Sequence, residues 1–236
     1  SEMGFWSFHL DTIFMSTFLG AVFFGFFGLV LMGAKKGVPG KVQNFAEFVF
    51  EFISGAVKSN FHGTSRIIGP LAFTSCVWIL SWNLMDLLPV ELTNFVGSSG
   101  AGVDYFKLLP TADVNAPLAL ALVVMFFVTY YTIANHGLGG FLKEFINPIE
   151  LVGYFSKHVA LALRLYGNLF AGEMIFILIG IMFGQFLMSF GQTLWFIPGL
   201  MMNLVWALFH ILIIALQAYI FMMLTIAYIN LACAKH

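Results

Sequence analysis

Charge is scarce in this sequence. Only 9% of its 236 residues are Asp, Glu, Lys or Arg, against roughly a quarter in soluble domains, which excludes a surface that is mostly wet. A formal net charge of −1 excludes the basic footprint that nucleic acid requires, so no nucleic-acid partner is expected. There are two cysteines, Cys76 and Cys233, both in apolar stretches. They offer no spacing for a metal site or a disulfide framework and read as packing residues. No metal and no cofactor are expected. Residues 1–12 hold no basic region followed by a short apolar core, so no signal peptide is expected in them.

What the chain has in place of charge is apolar bulk: 61% of its residues are hydrophobic and 29 are phenylalanine. Charge-free runs mark the spans, each near the roughly 20 residues needed to cross about 30 Å of hydrocarbon. Residues 12–34 form the first, 67–85 the core of a second that runs to 88 past Asp86, and 114–135 the third. Between the first two, residues 41–61 read differently. Val42, Phe45, Phe48, Val49, Phe52, Ile53 and Ala56 share one arc at 100° per residue, with Gln43, Asn44, Glu47, Glu51, Ser54 and Lys58 opposite. This is an amphipathic helix, too polar to span, placed in the membrane interface by flanking Lys35, Lys36, Lys41 and Arg66. The other reading is a helix packed on a separate protein domain.

Basic residues set the orientation. The lysine-rich linker 35–66 faces the cytoplasm, and the acidic loop 89–113, following Asp86, faces outside. Residues 136–147, with Lys143, form an inner loop. The N-terminus is then outside and the C-terminus cytoplasmic.

The C-terminal part is unusual. Its likeliest break is Gly191-Gln192, with Pro198-Gly199 as a kink near the next helix start. That leaves two helices, 147–190 and 194–235, each of about 40 residues and roughly 60 Å, twice the hydrocarbon thickness. They must tilt strongly or break. The expected fold is an all-α integral membrane protein: one membrane domain over 1–236, about five embedded helices with the last two long and tilted, and one interfacial helix.

Ionisable groups at membrane depth mark function by default, and the first long helix organises several. Glu150, Lys157, Arg164 and Asn168 fall within about 40° of one another on the wheel. Gly153, Ala160, Gly167 and Ala171 lie on the same face, leaving room for another helix to approach the arginine. Glu173 projects to the opposite side. On the last helix, Asn203, His210 and Gln217 repeat every seventh position, a pattern that suits a wet, proton-carrying lining. Hydrogen bonding of His210 and Gln217 to neighbouring helices explains the same pattern without transport.

These residues carry a resemblance. Leu163-Arg164-Leu165-Tyr166-Gly167-Asn168-Leu169-Phe170-Ala171-Gly172-Glu173 strongly resembles the signature of subunit a of bacterial F-type ATP synthases, the stator subunit of the Fo sector. His210-Ile211-Leu212-Ile213-Ile214-Ala215-Leu216-Gln217-Ala218 matches that family's last helix, and Asn83-Leu84-Met85-Asp86-Leu87-Leu88-Pro89 its outer loop entrance. The likeness covers almost the whole chain, in order. It implies that Arg164 is the essential stator charge facing the carboxylate of a rotating c-ring. It implies an outer half-channel lined by Asn168, Glu173, His210 and Gln217, with Asp86 near its mouth, and an inner one near Glu150 and Lys157. Close approach of the ring would use Gly153, Ala160, Gly167 and Ala171. A serine that the family sometimes carries one turn before the arginine is Ala160 here, so no role passes to it. The implied partners are the c-ring, the subunit b peripheral stalk, membrane lipid and protons, with no enzymatic activity in the subunit alone.

Two other readings differ in what they require. A stand-alone ion-coupled secondary transporter usually carries inverted repeats with matched broken helices, and the C-terminal pair has no counterpart upstream. A structural scaffold leaves an arginine in a small-residue face unexplained. H⁺ is the expected coupling ion, although selection against Na⁺ resides mostly in the ring.

Overall fold

A computed structural model describes residues 10–35, 37–61, 66–85, 87, 114–189 and 196–234. Six helices account for nearly all of them: α1 (Leu10–Met32), α2 (Lys41–Asn60), α3 (Ile68–Met85), α4 (Asn115–Ile146), α5 (Pro148–Ser189) and α6 (Phe196–Cys233). No strand occurs among the described residues. All except α2 are long and apolar enough to cross a membrane. The chain is an all-α, multi-pass membrane protein.

The bundle is organised around α6. Its C-terminal half places Ile214, Ala218, Phe221, Met222, Ile226 and Ile229 at helical spacing, all nearly sealed from solvent. They meet Ile68, Ala72 and Ile79 of α3, Val124 and Val128 of α4, and Leu161 and Leu165 of α5. Lipid tails are as apolar as these side chains, so close packing rather than transfer from water holds them together. A second cluster ties α1 to the bundle, where Phe27 meets Phe50 and Phe73, and the last two stack with centroids 4.4 Å apart. At Gly20 a Cβ would lie 2.7 Å from the Trp78 ring, so only glycine lets α1 and α3 approach there.

Helix α2 uses one flank of its apolar arc. Ala46 and Ile53 are buried, and Val49, Ala56 and Val57 pack on the core. Val42, Phe45, Phe48 and Phe52 stay exposed, although the Phe52 ring also meets Tyr219 of α6 with centroids 5.6 Å apart.

Two local expectations are corrected. Residues 136–147 are not an open loop. The backbone leaves helical geometry only at Gly137 (φ +71), then resumes as helix to Ile146. That φ suits glycine because it carries no Cβ, so the chain turns at one residue and resumes as helix. Pro198 produces no kink. It sits in the first turn of α6, where its missing N–H would have had no helical partner. The expected break at Gly191-Gln192 and the outer loop 89–113 lie outside the described residues.

Helix α5 runs 42 residues without interruption past Arg164 and Glu173, and α6 runs 38. Their paired ends, Met174–Met182 and Ile197–Phe209, carry many exposed large apolar side chains. Each helix is nearly twice as long as about 30 Å of hydrocarbon requires.

Candidate functional site

Arg164 lies near the middle of α5 and is exposed. Among the described residues its guanidinium has no ion-pair or hydrogen-bond partner. The face around it is open. A Cβ on Gly153 or Gly167 would meet nothing within 4 Å, and Ala160 and Ala171 are exposed. Among the described residues, no side chain packs where a Cβ on Gly153 or Gly167 would point. A guanidinium stays protonated in any protein environment, so the fold presents a permanent positive charge on an uncovered, nearly featureless helix surface.

On the C-terminal side of Arg164 along α5, polar groups are packed tightly against α6. His210 is 1% exposed and seated on Gly172, where a methyl group would collide with Cε1 and lie 2.6 Å from Nδ1. The edge of its ring meets Phe176 with centroids 5.4 Å apart. Glu173, the residue after Gly172, is half-buried. One turn after Arg164, Asn168 is half-buried with its Nδ2 hydrogen unpaired. Gln217 is buried two turns beyond His210, and its Nε2 also lacks a partner. Asn83 of α3 is fully buried against α6. Its Nδ2 donates to the Ile214 carbonyl at 3.5 Å, while Oδ1 has no partner. Asn203 is exposed, and Asp86 lies outside the described residues.

The buried hydroxyls behave differently. Ser75, Ser81, Thr132 and Thr225 each donate to a carbonyl three or four residues back on their own helix, which satisfies them without outside help. The unpaired side-chain atoms are therefore concentrated in amides, in His158 and in the indoles of Trp78, Trp82 and Trp206. A buried donor or acceptor left alone costs about 1–3 kcal/mol. Water hydrogen-bonded to the amides removes that cost.

On the N-terminal side of Arg164 the arrangement is open. A cavity of about 360 Å³ lies between α4, α5 and α6, lined by Glu150, Lys157, Gly153, His158, His136 and Tyr228 among others. Glu150 and Lys157 are exposed at its edge, and Glu150 accepts a hydrogen bond from Asn147 Nδ2 at 3.2 Å. His158 is buried between Tyr154 and Tyr228, with ring centroids 4.9 and 6.0 Å away.

The structure thus brings His210, Gly172 and Phe176 together, and separately Glu150, Lys157, Gly153 and His158. Asn83, Gly172, His136 and His158 were missed as site residues in the sequence. A histidine inside an apolar run was a visible signal for His158, and Asn83 stood within the quoted outer-loop motif.

Fold and site together define a polytopic α-helical membrane protein with an exposed mid-helix cation, Arg164, and a polar cluster on each side of it among the described residues. The family model described as ATP synthase A chain matches residues 13–230. ATP synthase subunit a of Glaesserella parasuis is 43% identical, with the match covering 98% of this chain and 91% of that protein. Its counterpart in Shewanella sp. (strain MR-4) is 44% identical over 99% and 90%, and that of Actinobacillus pleuropneumoniae 42% over 98% and 91%. The chain belongs to the ATP synthase A chain family.

Proposed function

We propose that this chain is the ion-translocating stator subunit of an F-type ATP synthase, with two offset half-channels that load and unload carboxylates of a c-ring. The observation that carries the reading is Arg164, an exposed cation without a partner among the described residues, on an open face of small residues. A passing carboxylate supplies the missing counter-ion. A proton enters from outside past Asp86, Glu173, His210, Gln217 and Asn168 and neutralises that carboxylate. The neutral carboxyl then tolerates lipid, which a charged one does not. After nearly a full rotation it reaches the inner half-channel beside Glu150 and Lys157 and releases its proton to the cytoplasm.

Arg164 favours the ionised carboxylate by opposite charge and blocks protons from passing straight between the half-channels. Each charge crossing supplies about 2.3 kcal/mol per 100 mV, so several crossings are needed for each ATP. The basic linker 35–66 puts the N-terminus outside and the C-terminus in the cytoplasm of a bacterial inner membrane. The stator role further requires the subunit b stalk to hold the chain against the ring, and the subunit alone has no catalytic activity.

In inverted vesicles carrying the whole complex, Arg164→Ala should abolish ATP-driven acidification while ATP hydrolysis by the soluble head continues. Acidification at the parental rate in the variant would refute the assignment.

A further inference from the structure

We propose that His158 is the proton-transferring residue between the ring-facing surface and the cytoplasm, a role that rests on the inner half-channel reading above. Its geometry singles it out. The side chain is 5% exposed and lines the 360 Å³ cavity shared with Glu150, Lys157 and His136. Nδ1 lies 2.8 Å from the Tyr154 carbonyl oxygen. A carbonyl only accepts, so Nδ1 carries a hydrogen in both protonation states. In the neutral ring the lone pair is then confined to Nε2, which is buried and has no hydrogen-bond partner. The tautomer is fixed by the backbone, and the basic atom is the one left over.

The ring is also held in place. Tyr154 donates or accepts through its hydroxyl with Thr129 Oγ1 at 2.5 Å, and lies 3.3 Å from the Met125 carbonyl. That pins this stretch of α5 to α4, while Tyr228 of α6 closes the other side. The titratable groups facing the same space are Glu150, Lys157 and Tyr154 on α5, His136 on α4 and Tyr228 on α6.

The position along α5 fits a relay. At 1.5 Å rise per residue His158 lies about 9 Å along the helix axis from Arg164 and about 12 Å from Glu150, between the two in height and turned about 120° from Arg164 around the axis. Neither step is a single hydrogen bond, so water must bridge both. The cavity volume is far above the ~10–15 Å³ that one water requires. In the transfer, a proton released by a ring carboxyl passes through water to Nε2, giving imidazolium. The same Nε2 then returns a proton to cavity water, which delivers it past Glu150 to the cytoplasm. The imidazole ends as it began, and Nδ1 keeps its hydrogen throughout.

Two variants test this in the assembled complex. His158→Asn keeps an amide N–H near the Tyr154 carbonyl but deletes the basic atom. His158→Gln fills the outer part of the ring's volume without basicity. In inverted vesicles stripped of the soluble head, proton conduction should fall by at least about tenfold in both variants. Imidazole added at the cytoplasmic face, which is outermost in such vesicles, should restore conduction in the asparagine variant. Parental conduction in either variant overturns the proposal. So does a loss that imidazole leaves unchanged, or failure of both variants to assemble, since each would make His158 a packing residue. Arg164→Ala, measured in parallel by ATP-driven acidification, separates the failures. Pumping that survives there sinks the stator reading, whereas a silent His158→Asn beside a dead Arg164→Ala sinks only the relay.

Discussion

Beyond Arg164 on α5, the helix meets His210 so closely that Gly172 cannot accept a methyl group. Before Arg164, the same helix borders about 360 Å³ of space. The two regions also differ in chemistry. The packed side uses neutral amides and a histidine, and single atoms of the amides Asn83, Asn168 and Gln217 are left unpaired among apolar neighbours. The open side gathers Glu150, Lys157 and two histidines around one volume. A narrow path carries protons through a few ordered groups, each of them indispensable, whereas a wide wet vestibule spreads the task over exchangeable water. The comparison therefore makes a physical claim: substitutions of equal size should be severe on the packed side and mild on the open side, except at a group that binds the proton itself.

Among substitutions that test this contrast, the largest effect should come from Gly172→Val. Its Cβ would sit where the His210 imidazole is, backed by the Phe176 ring. Overpacking of this kind costs about 1–3 kcal/mol, and relief requires the ring to swing out of its seat. Proton conduction should drop by about tenfold or more in complexes that still assemble, since about 1.4 kcal/mol on a barrier is tenfold in rate. Conduction at the parental rate would mean that the tight seat of His210 is irrelevant to transport, and the contrast between the two sides would collapse.

Gln217→Leu should have an intermediate effect with opposite signs on stability and activity. Leucine removes an amide whose Nε2 is buried without a partner, so thermal stability of the subunit should hold or rise, by up to about 1 kcal/mol. Conduction should fall several-fold because a water-binding group has gone from the narrow path. A leucine variant that conducts normally would reassign Gln217 to packing.

How much of this could be read from the sequence depends on distance along the chain. Charge-free runs reveal spans because the bilayer imposes a length on each helix separately. The open face of Arg164 was legible for the same reason, since Gly153, Ala160, Gly167 and Ala171 belong to one helix and a wheel suffices. The polar contacts between helices were not. Asn83 reaches Ile214 across 131 positions, and Tyr228 closes on His158 from α6. Gly172 is one glycine of 23, and only the facing helix shows that it seats an imidazole. The inner segment after Gly137 reads as a loop around Lys143 in the sequence, whereas one positive φ is enough to redirect the helix.

The smallest effect belongs on the open side, at Gly153→Ala. A Cβ there meets nothing within 4 Å in this chain, so no neighbour has to move. Alanine is favoured over glycine inside a helix by about 0.8–1 kcal/mol, and the subunit should become slightly more resistant to thermal unfolding. The methyl takes up a small part of the cavity edge, and conduction should stay within about twofold of the parent if water in a wide vestibule is exchangeable. The same residue also lies on the face proposed to meet the ring, and that gives the measurement a second use. A variant that unfolds later yet pumps many-fold more slowly would show that the ring, rather than water, fills the space beside Gly153. The inner cluster would then be as tightly packed in the working complex as the outer one, and the asymmetry would belong to the isolated chain alone.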